Sequence, residues 1–402
     1  MDKRFIYFNT LFVIVFLFTS CANEKQLLNN AYPVLDLDQA TRVDSLKLSS
    51  LFSNVKTIIL DKSNKALIGS ISRVEFCEDN IFILDENIAK TVFIFNKEGE
   101  FIRQIGCIGQ GKGEYMSPAD FTLDRIKKHI FILDRQQKKI HEYNYTTGEH
   151  LSSVNIPKYS SNIFYYKDAI YTDYPGSHAT GTDYIFRKSN AQNGKEIDLL
   201  LTPETHNKGW TFTLANNDGI FLSRSSESPV LTHLFMDTVY HIEQKGVFPH
   251  FVIKSKSMMN KKDIEGLNVD KNFMDLIELV KRNKYYNLQT YMENCDFIFF
   301  QLQKGAMPYP IYYDKNNENT LKGDLLIEDI LFNNLDFKLT QFRFGGCDAN
   351  GAFFYLTPDR ISEFNKLKEL GKYPNLSPKI ESEFENREDT FNGAIFYYEY
   401  KK

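Results

Sequence analysis

Short apolar runs that follow a polar or turn-forming cluster recur along the chain. Each run is a segment of four residues, here called a quartet, and the quartets lie at residues 82–85, 131–134, 170–173, 220–223, 297–300 and 353–356. The last positions of these quartets are 49, 39, 50, 77 and 56 residues apart. Most of these steps lie near the period of about 40–50 residues found in propeller blades, so the pattern predicts a radial repeat of small sheets.

The segments between the quartets predict antiparallel strands. Residues 91–95 and 100–105 are rich in β-branched and aromatic residues, and a turn ending at Gly99 separates them. Residues 140–145 and 150–154 repeat this hairpin plan. We therefore predict an all-β fold, a six-bladed β-propeller with four-stranded antiparallel blades.

The longest step between quartets predicts a helical insertion in the fifth blade, at about residues 261–294. Within it, Phe273, Ile277 and Val280 have the i, i+4, i+7 spacing of an amphipathic helix. Two short C-terminal helices are expected to begin near Pro358 and Pro378, where proline follows a Thr or Ser that can cap a helix.

The first 20 residues have the form of a signal peptide. Lys3 and Arg4 precede an apolar run at 5–18, which as a helix would rise only about 21 Å against a bilayer core of about 30 Å. The run leads into Thr19-Ser20-Cys21, which resembles the lipobox of bacterial lipoproteins. An ordinary secretory signal with a chance cysteine is the alternative.

The lipobox resemblance implies cleavage before Cys21, acylation of Cys21 and a lipid bilayer as partner. We therefore expect a lipoprotein signal peptide at 1–20, a tether and incoming segment at 21–50, and the propeller at 51–402. The expected location is the cell envelope, with a lipid anchor in the outer membrane, on its periplasmic or surface-facing side.

The glycine-rich stretch from Gly109 to Tyr115 is similar to the GxGPGEY-type motif of six-bladed β-propeller lipoproteins, which are relatives of the NHL-repeat group. Lys112 stands where that motif usually has proline. The resemblance covers nearly all of residues 50–402 and implies an architecture rather than a chemistry.

Composition narrows the function classes. The chain has 402 residues, 42% of them apolar and 14% aromatic, with a formal net charge of −4. Such a chain can bury a large core, which excludes a largely disordered protein. The slightly acidic balance provides no basic surface for nucleic acid.

No motif in the sequence carries a recognisable reaction. The stretch from Gly106 to Lys112 matches GxxxxGK, but Gly113 follows where a phosphate-binding loop needs Ser or Thr, and no helix is predicted after it. Cys77, Cys107, Cys295 and Cys347 have neither CxxC nor zinc-site spacing, and we expect free buried thiols. No cofactor or metal site is predicted, and a structural or channel divalent cation is left open.

Candidate ligand contacts are polar or aromatic residues of expected loops, and blade packing is the alternative for the aromatic ones. The candidates are Lys112, Glu114, Tyr115, Tyr174, His178 and Trp210. The sequence favours a non-catalytic binding or scaffold module for a peptide, a glycan or an envelope protein. The alternative is a propeller hydrolase or lyase with a channel-mouth active site, metal-dependent or not, whose catalytic residues the sequence does not identify.

Overall fold

Six blades, each with four antiparallel strands, stand in a ring, which confirms the predicted all-β six-bladed propeller. The computed structural model describes residues 32–61, 66–157, 159–173, 184–206, 208, 221–223, 229–267, 273–385 and 392–401. Cys21, Tyr174, His178 and Trp210 lie outside the described residues.

Three strands come first in the chain: β1 (Val34–Asp36), β2 (Thr41–Lys47) and β3 (Phe52–Ile59).

The blades follow, and within each blade the first strand is innermost and the strands after it lie progressively further out. Blade 1 consists of β4 (Arg73–Cys77), β5 (Asn80–Asp85), β6 (Thr91–Asn96) and β7 (Phe101–Ile105). Blade 2 consists of β8 (Pro118–Asp124), β9 (His129–Asp134), β10 (Lys139–Asn144) and β11 (His150–Asn155). Blade 3 consists of β12 (Ile163–Tyr166), β13 (Ala169–Asp173), β14 (Phe186–Asn190) and β15 (Glu196–Leu200).

The second half of the ring follows the same plan. Blade 4 consists of β16 (Phe221–Ser223), β17 (Val230–Leu231), β18 (Thr238–Glu243) and β19 (Gly246–Lys254). Blade 5 consists of β20 (Tyr285–Glu293), β21 (Phe297–Lys304), β22 (Met307–Asp314) and β23 (Asn319–Glu328), and β24 (Leu335–Asp336) pairs with β23. Blade 6 consists of β25 (Arg343–Cys347), β26 (Gly351–Leu356), β27 (Ala394–Tyr400) and, outermost, β3.

Helices occupy the connections. They are α1 (Pro203–His206), α2 (Lys261–Ile264), α3 (Phe273–Lys281), α4 (Ile361–Glu369) and α5 (Pro378–Glu385), with 3₁₀ turns at Leu48–Ser50, Phe337–Leu339 and Pro358–Arg360. The two expected C-terminal helices are α4 and α5, which lie between β26 and β27. Among the described residues, no helix has the length and apolar character needed to cross a membrane.

The N-terminal strands join the last three blades. β3 pairs antiparallel with β27, with Val55 opposite Tyr398, so residues near the two ends of the described chain share one sheet. β1 pairs parallel with β19, and β2 pairs parallel with β23. Residues 34–47, which were predicted to belong to the tether and incoming segment, therefore add outer strands to blades 4 and 5.

Each blade buries both of its faces against its neighbours. On β5, Phe82 and Leu84 pack with Phe121 of blade 2, whereas Ile81 and Ile83 pack with Phe353 of blade 6. Successive side chains of a strand point to opposite faces of its sheet. A strand with consecutive apolar residues, one facing each neighbouring blade, is therefore expected in a blade, as in β5 and β9.

The aspartates that end the first three quartets anchor the loops that lead into the blades. The carboxylate of Asp134 accepts hydrogen bonds from the backbone N–H groups of Met116 (2.6 Å), Gln136 (2.9 Å) and Gln137 (3.0 Å). Asp85 and Asp173 accept equivalent backbone hydrogen bonds in blades 1 and 3. The recurrent aspartate is thus a structural cap on a loop.

Two details of the predicted repeat differ in the structure. The expected insertion at 261–294 is helical only at α2 and α3 among its described residues, and its last part is β20, whose Tyr285, Leu288 and Tyr291 are buried between blades. The described residues of the fourth quartet, 221–223, form β16, an inner strand, whereas the other quartets fall on second strands. Both differences arise because apolar periodicity marks a buried strand but not its rank within the sheet.

The four cysteines of the described part of the chain are free thiols, as expected. Their burial differs from the expectation, because Cys77 is buried while Cys107 and Cys295 are exposed. Cys347 is partly exposed on inner strand β25.

Replacing the loop-anchoring aspartate of blade 2 should destabilise the fold. We expect Asp134→Ala to lower the free energy of unfolding by about 3 kcal/mol, because several backbone N–H groups lose their acceptor at once. Urea unfolding followed by circular dichroism measures this change.

The matched control is Asp79→Ala, because Asp79 is exposed and its ion pair with Lys97 lies at the surface. An equal loss of stability in the two variants would contradict the anchoring role of Asp134.

Candidate functional site

A cavity of about 2980 Å³ lies within the ring. Its wall includes residues of the inner strands, among them Val74 of β4, Asp120 of β8, Phe221 of β16, Tyr291 of β20 and Gly345 of β25. Small-molecule pockets usually measure about 300–1,000 Å³. This cavity is therefore large enough for an extended chain or a protein loop.

The cavity reaches both faces of the ring. We call the face that carries the turns between first and second strands, such as Asn294–Asp296, the lower face; the turns between second and third strands, such as Glu86–Ile88, define the upper face. Both of these turns line the cavity. Because consecutive strands are antiparallel, the two sets of turns lie at opposite ends of a blade. The cavity is therefore a channel that runs through the centre of the ring from one face to the other.

Four charged residues form the channel wall between blades 1 and 2; we call Arg73, Glu75, Asp120 and Arg125 the ion-pair wall. The Arg73 guanidinium donates to the carboxylates of Asp120 and Glu75, and Arg125 donates to Glu75 at 3.1 Å. The side chains of Glu75 and Asp120 are only 9% and 5% exposed. Pairing of this kind compensates the cost of burying the charges and ties the two blades together.

The ion-pair wall continues into a buried carboxyl of blade 3. Asp120 also accepts the backbone N–H of Ile163 at 2.9 Å, and Asp173 accepts the N–H groups of Ser161 and Asn162 at 2.7 and 2.9 Å. Burial, with a smaller contribution from Asp120, raises the pKa of Asp173 to about 6. A folded pKa above the unfolded one means that this group favours folding less as the pH rises from about 4 to 6.

A second polar group, the glutamate cluster, consists of His250, Tyr291, Glu293 and Lys315. Glu293 lies 2.9 Å from His250 Nε2 and accepts a hydrogen bond from Lys315 Nζ at 2.6 Å and another from the Tyr291 hydroxyl. Burial acts to raise the pKa of Glu293, but the hydrogen bonds from His250, Lys315 and Tyr291 outweigh it and lower the pKa to about 2. The cluster links blades 4 and 5, and Glu293 stays ionised at neutral pH.

A β-bulge shapes the channel wall beside this cluster. Thr290 and Tyr291 together oppose one residue of β21, and Thr290 has a φ of +52°. The left-handed region is unfavourable for a β-branched residue. The Thr290 hydroxyl donates to Gln301 at 2.8 Å, which helps to hold this conformation.

Aromatic rings line the lower end of the channel between blades 6 and 1. Phe76 and Tyr397 are partly exposed, and their ring centroids lie 5.7 Å apart. Phe353 packs behind them, 4.7 Å from Phe76. The Tyr397 hydroxyl donates to Asp348 at 2.8 Å. Partly exposed aromatic faces of this kind suit an apolar face of a ligand.

The glycine-rich loop lies away from the channel lining. Tyr115 is fully buried, and its hydroxyl donates to the carbonyl of Ile105 at 2.5 Å. Glu114 accepts the N–H of Gly111 at 2.8 Å, and Lys112 is exposed. Lys112, Glu114 and Tyr115 are not among the residues that line the channel. The structure thus gives Tyr115 and Glu114 contacts that hold the loop between blades 1 and 2.

The channel residues were not predicted from the sequence. Arg73 and Asp120 are 47 positions apart in the sequence, and His250 and Glu293 are 43 positions apart. The sequence contains one kind of signal for such residues, namely a charged residue next to an apolar one within a predicted strand, such as Glu75 beside Val74. Among the described residues, no group of three or more His, Cys, Asp or Glu side chains is arranged to hold a metal ion.

Removing the charge of Glu293 should cost stability in a pH-dependent way. We expect Glu293→Gln to be less stable than the parent by about 3 kcal/mol at pH 7, because the depressed pKa contributes about 1.4 kcal/mol per unit. This contribution is complete above the unfolded pKa of about 4.5 and disappears as the pH falls towards 2, so the difference should narrow in acid. Urea unfolding at pH 7, 5 and 3 measures it.

A suitable comparison is Glu243→Gln, since Glu243 is exposed and pairs with His241 at 2.9 Å outside the channel lining. A stability difference for Glu293→Gln that stayed constant down to pH 3 would show that the carboxylate is not held ionised as described.

Comparison with known proteins identifies a family and a fold. A model of a domain of unknown function, DUF4934, matches residues 32–398. The solved structure of a "Putative exported protein" from Bacteroides fragilis NCTC 9343 is similar with a TM-score of 0.72 and 16% identity, covering 92% of this chain and 100% of that one. A member of the DUF4221 family from Bacteroides vulgatus ATCC 8482 is similar with a TM-score of 0.50 and 12% identity, covering 87% of this chain and 97% of that one.

At these identities the likeness to the two solved structures shows the fold alone. No curated protein matches the sequence. Because the family model spans most of its length, the chain belongs to the DUF4934 domain family.

Proposed function

We propose that this chain is an exported, lipid-anchored lipoprotein whose propeller binds an extended ligand in its central channel without transforming it. The ligand class is a peptide, a glycan or a segment of an envelope protein. The observation that carries the proposal is the channel itself, which has a volume of about 2980 Å³ and a wall contributed by several blades.

The hydrogen bonding of three carboxylates in the channel wall favours binding over catalysis. A general acid or base must exchange a proton with its substrate. Glu75, Asp120 and Glu293 each accept at least two hydrogen bonds from neighbouring protein groups. Carboxylates saturated in this way stabilise the wall and are poorly available for proton transfer.

The exported location and the anchor rest on the N-terminal sequence. The signal-like segment before Cys21 supports export, and the fold neighbour from Bacteroides fragilis carries the description of an exported protein. Acyl chains on Cys21 would hold the propeller at a membrane of the cell envelope.

Substitution of the proposed lipid-bearing cysteine tests the anchor. We expect Cys21→Ser to move the protein from the membrane fraction to the soluble fraction, because no thioether to a lipid can form. Cell fractionation with immunoblotting measures the distribution. Cys295→Ser, which alters an exposed thiol of the propeller, should leave it unchanged. Retention of the Cys21→Ser protein in the membrane fraction would refute acylation at this residue.

Site-specific photo-cross-linking in intact cells tests channel binding. We expect a benzophenone amino acid at Asn87, an exposed residue of the channel lining, to form an adduct with the bound ligand. The same group at Glu149, exposed in an outer turn of blade 2, is the matched control. Mass spectrometry of the adduct identifies its class. Equal labelling from the two positions, or none from Asn87, would contradict ligand binding in the channel.

A further inference from the structure

The channel wall of blade 6 carries an arginine whose charge is not compensated. Arg343 begins β25, lines the channel and is exposed. The other arginines of the lining, Arg73, Arg125 and Arg135, are each held in an ion pair with a carboxylate. Among the described residues, the Arg343 guanidinium has no ion-pair or hydrogen-bond partner, so it is available to a ligand.

A buried hydroxyl without a partner lies on the same face of the sheet. Arg343 is opposite Tyr355 in the β25–β26 ladder, and Thr357 follows Tyr355 by two residues in extended backbone. Alternation therefore puts Thr357 on the face of Arg343. Thr357 is 2% exposed and lines the channel, and its Oγ1 has no hydrogen-bond partner within the described structure. A buried hydroxyl is normally hydrogen-bonded, which indicates a ligand group or a water at this point.

Beyond Arg343, the wall formed by β25 leads to the aromatic rings. Gly345 and Gly346 follow Phe344 on β25, and a Cβ on Gly345 would lie 2.5 Å from the ring of Phe353. Phe353 in turn packs against Phe76 at the lower end of the channel. A five-residue strand spans about 13 Å between its first and last residues. A cation and partly exposed aromatic faces thus lie at the two ends of one strip of wall.

The chemistry of this strip fits an acidic sugar chain better than a peptide. A guanidinium binds the two oxygens of a carboxylate through parallel hydrogen bonds, and aromatic faces stack on apolar ring faces. A peptide would be captured by pairing with a regular strand edge. In blade 6 the register shifts between Phe344 and Gly346, and Gly346 has a φ of +145°, so β25 is a poor template for strand addition.

We propose that Arg343 and Thr357 bind a carboxylate of an acidic oligosaccharide that lies along β25, with sugar rings against Phe76 and Tyr397. This inference rests on the proposed channel-binding function and specifies its ligand class as a uronic-acid-containing glycan. Arg343 supplies the charge, Thr357 donates a hydrogen bond to the same carboxylate, and the glycine stretch leaves room for the chain.

Calorimetric titration of the full chain in detergent tests the proposal. The probes are hexagalacturonate, its methyl-esterified form and hexaglutamate, at low and at moderate salt. Hexagalacturonate should bind, and salt should weaken its binding because the contact is ionic. The methyl ester, which lacks the charge, and hexaglutamate, which lacks sugar rings, should bind at least about tenfold more weakly.

Variants assign this binding to the two residues. Arg343→Gln should weaken hexagalacturonate binding at least about tenfold, and Arg343→Lys should recover only part of it, because lysine cannot form the bidentate contact. Thr357→Val should weaken binding without lowering the unfolding midpoint, since the hydroxyl has no protein partner to lose. Arg42→Gln, which removes a cation paired with Asp324 on the outer edge of blade 5, is the matched control and should bind normally.

Three results would overturn the inference: no binding of hexagalacturonate, equal binding by Arg343→Gln, or tighter binding of hexaglutamate. If hexagalacturonate does not bind while photo-cross-linking from Asn87 still captures a ligand, the acidic-glycan assignment is wrong but ligand binding in the channel is supported. If Asn87 captures nothing as well, the proposed function fails with it.

Discussion

The ring depends on one sheet that joins the beginning and the end of the propeller. β3 supplies the outer strand of blade 6, and its register with β27 runs from Ile59 opposite Ala394 to Phe52 opposite Tyr400. A blade is stable only when both of its faces are covered. Without this sheet, the interface that buries Phe353 and Tyr355 against Ile81 and Ile83 would open to water. Closure of the ring is therefore the condition on which the core and the channel both rest.

Ring closure also brings together the side chains that line the channel. The channel groups come from different blades, and buried charges form pairs across an interface, as Arg73 does with Asp120 and Arg125 with Glu75. Such pairs are costly to break because each partner would be left as an uncompensated buried charge. These pairs therefore hold the blades together at the channel wall. Unlike the other channel arginines, Arg343 has no ion pair among the described residues. We propose that ligand recognition depends on this free charge.

Much of the fold follows from local pattern, whereas the site does not. The hairpin of β6 and β7 and the start of α4 after Pro358 were predictable because their signals lie within a few residues of one another. The parallel pairing of β1 with β19 was not, since its partner lies more than 200 residues away and no local signal specifies it. For the same reason the channel residues were missed: partners such as Arg73 and Asp120 lie on different blades, and no local signal connects them. Tyr115 drew attention through its motif, yet it is buried and its hydroxyl contacts the backbone of Ile105.

We propose that ligands bind to the molecule through its channel. Hydrogen–deuterium exchange compares the protein in its own envelope membranes with the same protein after purification. We expect slower exchange in the membranes at two channel segments, the turn at Glu86–Ile88 and the inner strand β25, with no change on the outer strands β7 and β11. Protection confined to the outer strands, with the channel segments unaffected, would contradict it.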